Sequence, residues 1–161
     1  MESQTPSPAL AELVLTAQQS AVEYAEALPP DGEWSPAMFV ETLRGEHIFL
    51  EGFGFANEEE RGVLFGEVIP ALMRGLHAAR AALVVPGYAV TLKVKSPDFE
   101  RERAIVGLLT PAHHPDHEEV LIVHGLEGKT RVVSMAVVQR TPDAAPTLGK
   151  WRNSATLGGG K

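Results

Sequence analysis

From residue 10 onward, apolar side chains recur at three- and four-residue steps: Leu10, Leu13, Val14, Ala17, Ala21, Tyr24 and Ala25. That spacing puts one apolar stripe on a helix. Ser7 and Pro8 supply the cap and first-turn proline that open it. Pro29-Pro30-Asp31-Gly32 stops it after about Leu28. Ser35-Pro36 repeats the cap-plus-proline signature and predicts a short helix through about Arg44, ended by Gly45. Residues 47–55 fit a strand with Phe49, Phe53 and Phe55 on one side. A third helix starts at Asn57, whose side chain caps it, while Glu58, Glu59 and Glu60 suit the positive end of its dipole. Its stripe runs Phe65, Val68, Ile69, Leu72, Leu76, Ala79 and Leu83. Pro70 lies inside it, lacks a backbone donor and collides with the carbonyl of Gly66, so a kink or a junction of two helices is expected there.

After Pro86-Gly87 the period changes to two. Tyr88, Val90, Leu92 and Val94 alternate with polar or small residues, as in a strand with one solvated face. Residues 103–109, 118–124 and 129–140 are three further strands, the last two joined as a hairpin by Gly125-Leu126-Glu127-Gly128. Val120 to Val123, and Val132, Val133, Val137 and Val138, are apolar on both faces and belong in the middle of a sheet. Composition loosens from Thr141, and 151–161 reads as a flexible tail whose start Trp151 can anchor. The expected fold is α+β. N-terminal helices, a layer over about 7–85, pack on one face of a C-terminal three- to four-stranded antiparallel sheet over about 87–140. Together these make a single domain over 1–150.

Composition narrows the chemistry. The 161 residues are 44 % hydrophobic and 22 % charged, as in a globular chain. There is no cysteine, which excludes a disulfide scaffold, a thiol nucleophile and any Cys-ligated metal. The net charge of −7 is uneven: residues 1–70 carry 13 acids against two bases, and 71–161 carry 12 bases against eight acids. The acidic half is expected to dock on the basic half of this chain or of a second copy. No stretch has the length of a membrane span, and the N-terminus lacks the basic and apolar regions of a secretory signal. A cytoplasmic protein is the resulting expectation.

The densest chemical cluster is His113-His114-Pro115-Asp116-His117. Imidazole and carboxylate are ligands for zinc, iron or manganese, so His113, His114, Asp116 and His117 are the candidate metal site, and a divalent metal is the one cofactor suggested. Pro115 disfavours a helix there, which excludes the helical His-Glu-x-x-His arrangement. The competing reading is a polar turn leading into strand 118–124. Residues 123–130 nearly spell a phosphate-binding loop, but Val123 replaces its first glycine and a strand, not a helix, follows. Gly52-Phe53-Gly54-Phe55-Ala56-Asn57 lacks the third glycine of a dinucleotide fingerprint, and three glutamates occupy the helix start. No Gly-x-Ser-x-Gly elbow exists, and Glu118 and Glu119 point to opposite faces of a strand. Lys93, Lys95, Lys129 and Arg131 could form a basic strip on the sheet.

Catalysis therefore finds little support. The leading expectation is a non-catalytic binding or accessory protein, acting through protein–protein contacts or as a homo-oligomer, with the aromatic-rich segment 34–65 or the open sheet as its surface. The alternatives are a metal-binding protein or metal-dependent hydrolase using the histidine cluster, and an anion or nucleic-acid binder using the basic strip.

Overall fold

The computed structural model describes residues 5–52, 57–89 and 118–153. Helix α1 spans Pro8–Glu26, and the Ser7 side chain accepts a hydrogen bond from the Leu10 amide, as its sequence predicts. Strands β1 (Ala37–Thr42) and β2 (His47–Glu51) form a hairpin. Helix α2 (Glu58–Val63) follows, then a π-helical turn (Leu64–Val68), and then α3 (Ile69–Gly75). Strands β3 (Ala78–Ala89), β4 (Glu118–Glu127), β5 (Thr130–Thr141), β6 (Ala144–Leu148) and β7 (Arg152–Asn153) complete the described chain.

The strands make one antiparallel sheet in the order β2-β1-β3-β4-β5-β6, with β7 also paired to β5. It curls into a half-barrel. This corrects the expected three- to four-stranded C-terminal sheet covered on one face by N-terminal helices. β1 and β3 begin inside stretches expected to be helical, whereas β2 falls within the strand expected over 47–55. Ser35-Pro36 opens β1 instead of a helix: Met38, Val40 and Thr42 are buried on one side of it, so the two-residue period governs. The third helix ends at Gly75, and Ala79 and Leu83 lie in β3. At Pro70 the chain meets the proline's missing donor with a π turn just before α3, whose first turn holds the proline.

Strand β3 is central, and its alternate residues face two different layers. Ala82 and Val84 join Leu121 and Val123 of β4 under the stripe Leu13, Ala17, Ala21 and Ala25 of α1. The small alanines let α1 lie close to the sheet. Ala81, Leu83 and Val85 face the other way and pack with Met38, Val40, Leu64 and Ile69 beneath α2, the π turn and α3. Helices thus lie on both faces. Pro86 sits in β3 beyond the last β1 pair, Ala37–Val84, where the strand has only β4 beside it among the described residues, the kind of edge position a proline tolerates.

The β4–β5 hairpin is tighter than expected. Glu127 pairs with Thr130, leaving a two-residue turn with Gly128 at φ +58°. Gly125 belongs to β4 and passes directly under Val14 of α1. The sheet continues past Thr141: β6 and β7 are successive pieces of one return strand along the free edge of β5, joined by the Gly149 amide donating to the Val137 carbonyl. Trp34 folds the α1–β1 connection back, its Nε1 donating to the Ala21 carbonyl at 3.0 Å. Arg140 holds the same connection from the sheet, binding the Glu119 carboxylate through two nitrogens and the Pro30 carbonyl through a third.

Candidate functional site

The alternation His-Ile-Phe-Leu-Glu in β2 sends Ile48 and Leu50 into the core beneath α3. It sends Phe49 to the α1 side, where it meets Phe39 with ring centroids 5.0 Å apart. Phe49 remains 51 % exposed, because β2 is an end strand and α1 covers β3, β4 and β6 instead. Between α1 and the β1–β2 hairpin this leaves a groove of about 430 Å³. Ala9, Glu12, Leu13 and Thr16 form one wall, and Phe39, Glu41, His47 and Phe49 the other. That volume lies in the range of small-ligand or side-chain pockets.

One side of the groove is electrostatically fixed. Arg80 of β3 reaches Glu41 on β1 and Glu127 on β4, each at 2.7 Å. The Arg80 hydrogen bond, then that of Ser7, holds the Glu127 carboxyl below its ordinary range. His47 Nε2 lies 3.8 Å from Glu41. The groove thus offers two phenyl rings, the carboxylates of Glu12 and Glu41, and no organised nucleophile or acid–base pair among the described residues. A second hollow of about 450 Å³ lies at the β1–β2 turn, between Thr42, Leu43, Arg44, Glu46, Leu76 and His77.

On the opposite face, His124 of β4 is buried beneath the π turn, only 6 % exposed. Its ring packs against Phe65, centroid to centroid 5.3 Å. Burial first, then the guanidinium groups of Arg131 and Arg61, pushes its pKa down to about 4, so the ring is neutral at physiological pH.

The candidate metal residues His113, His114, Asp116 and His117 lie outside the described residues, as do Lys93 and Lys95. Among the described residues no cluster of three or more histidines and carboxylates could hold a metal. The basic strip gains no support from the sheet. Arg131 turns to His124 on one face, while Arg140 binds Glu119 on the other. The near phosphate loop, 123–130, is strand and hairpin turn, with no helix after it. Glu118 and Glu119 occupy opposite faces of β4, as their spacing predicts. Ser134 of β5 accepts a hydrogen bond from Gln18 of α1. No helix among the described residues is long and apolar enough to cross a membrane. Sequence reasoning singled out the aromatic segment but not its geometry, since neither the β1–β2 pairing nor the position of α1 is written in local spacing.

No protein family, curated protein or solved structure matches the chain.

Proposed function

We propose that this protein is a non-catalytic binding or accessory protein acting through protein–protein contacts, and that the groove between α1 and the β1–β2 hairpin receives an extended segment of its partner. The carrying observation is the outer edge of β2, which pairs with no strand among the described residues and lies beside the groove and the exposed Phe49. An open edge is a template for strand addition: main-chain hydrogen bonds give affinity, and pockets for alternate side chains give selectivity. Here one such side chain would enter between Phe39 and α1. Glu12 and Glu41 at the rim, within a half of the chain carrying 13 acids against two bases, favour a segment that alternates apolar and basic residues.

A pair of synthetic peptides tests the reading. An alternating Val–Lys peptide is expected to slow amide exchange in 47–51 and to shift Phe49 resonances, while its Val–Glu counterpart does neither at the same ionic strength. Phe49→Ser should weaken the Val–Lys peptide by about tenfold, the loss of one buried aromatic anchor. Equal response to both peptides, or a response outside β1, β2 and α1, contradicts the proposal.

A further inference from the structure

The register of the β1–β2 hairpin decides which backbone groups the outer edge of β2 presents. The Thr42 amide donates to the Glu46 carbonyl at 2.8 Å, so these residues, opposite each other at the head of the hairpin, are a hydrogen-bonded pair. Bonded and non-bonded pairs alternate along an antiparallel ladder. Ile48 and Leu50 therefore turn their backbone groups to β1, and His47, Phe49 and Glu51 turn theirs outward. Those three outward residues form a set that is symmetric about Phe49. Laid antiparallel against a copy of itself, with Phe49 opposite Phe49, the edge sets His47 opposite Glu51 at both ends. All three outward residues then sit in bonded pairs, each pair exchanging both of its main-chain hydrogen bonds. Every other two-fold register within 47–51 leaves at least one outward residue without a partner.

We infer that, before a partner strand arrives, β2 pairs with β2 of a second copy of this chain about a two-fold axis at Phe49. The side chains fit that register on both faces. On the groove side the two exposed Phe49 rings cover one another. Each His47, 3.8 Å from Glu41 of its own chain, then also faces Glu51 of the second copy. On the other side the half-buried Ile48 meets Leu50 of the second copy, and the core beneath α3 runs on across the axis. Aromatic and opposite-charge pairs directly across two strands each stabilise the pairing, and a two-fold axis makes every such contact twice. The inference rests on the reading above, in which this same edge receives the partner, and adds its regulation: the second copy closes the edge, and the partner strand displaces it. Two chains of net charge −7 repel each other, and the contact is one short strand, His47–Glu51. The pair is therefore weak, and a basic segment exchanges for it readily.

Sedimentation of the full chain from about 10 μM to about 1 mM is expected to show a reversible change from one chain to two. Over the same range, amide exchange should slow at His47, Phe49 and Glu51 and stay unchanged at Ile48 and Leu50, which β1 already bonds. His47→Glu and Glu51→Lys, both at exposed positions, should each weaken pairing about fivefold. The first sets two carboxylates opposite each other, and the second removes the carboxylate that each His47 faces. An equimolar mixture of the two variants should pair as tightly as wild type, because one end then joins a carboxylate to an ammonium and the other keeps the native pair. The Val–Lys peptide at saturation should return wild type to single chains. A single chain throughout the range, a dimer that neither variant weakens, a mixture no tighter than either variant alone, protection at Ile48 and Leu50 in place of their neighbours, or a peptide that binds without splitting the dimer overturns the inference. A peptide that does not bind at all overturns the partner reading alone, and the variants with their mixture still decide the pairing.

Discussion

Two residues illustrate what single side chains do in this sheet. His124 protonates near pH 4 when folded and near 6.5 when unfolded. Between those values the unfolded chain binds more protons, so stability is full above about pH 6.5 and falls as pH drops toward 4. The loss reaches about 3 kcal/mol at most. Urea unfolding at pH 7 and pH 4.5 should show it, and His124→Phe should flatten that part of the profile. A wild-type profile already flat across the window contradicts the burial of the ring. Gly125 is the second case. A β-carbon there would stand 2.7 Å from Val14 Cγ2 and 2.8 Å from Val132 Cγ2, and both methyls belong to stiff, branched side chains. Gly125→Ala should therefore cost about 1–3 kcal/mol by forcing α1 off the sheet, measured by chemical denaturation. The sequence offers Gly125 as a turn residue. Its real constraint, a helix crossing over a strand, comes from a contact more than a hundred residues away.

At the scale of elements, local signals were legible wherever one short-range interaction decides. The caps of α1 and α2 were read correctly, since Ser7 and Asn57 each bond an amide three residues on. Ser7→Ala should lower stability by about 1 kcal/mol, read from the denaturation midpoint. It should also relax Glu127, whose carboxyl Ser7 helps to hold down. Elements decided by pairing were misread. Ala-Met-Phe-Val is a short apolar run that periodicity alone cannot assign, and a proline before it suits a strand start as well as a helix start. The stretch Ala78 to Leu83 is alanine-rich and locally favours helix. It is strand because β1 and β4 satisfy its backbone on both sides, and its small side chains leave room for α1 on one face. Propensity differences of tenths of a kcal/mol per residue yield to that burial and pairing. The candidate metal cluster lies outside the described residues, whereas His124, read only as the end of a strand, gained its interest from Arg131 and Phe65, which pairing and packing bring to it.

At the scale of the whole molecule, the acidic and basic halves are stitched together inside one sheet. Arg80, from the basic half, clamps Glu41 of the acidic half and Glu127 at once, and Arg140 ties the α1–β1 connection to β4 and β5. Arg80→Met should remove about 1 kcal/mol at pH 7, because the pairs are only partly buried. The deficit should shrink as pH falls below the carboxylate range: Glu127's depressed pKa contributes stability above its unfolded value and loses it in acid. Denaturation of wild type and variant at pH 7 and pH 3 measures the difference, and an equal deficit at both contradicts the clamp. Amide exchange should be slowest in β3 and β4, paired on both sides and covered by helices, and fastest in β2 at the end. Taken by itself, the sequence determined α1 and its cap, the β4–β5 hairpin, the uneven charge and the exclusion of thiol chemistry, because each follows from residues adjacent or a few positions apart. Only the tertiary structure decided the strand count, the central place of β3, the helices on both faces, the open groove beside β2 and the burial of His124. Those depend on strand partners tens of residues away, and the two-residue period that sets inside from outside has no meaning until the partners are known.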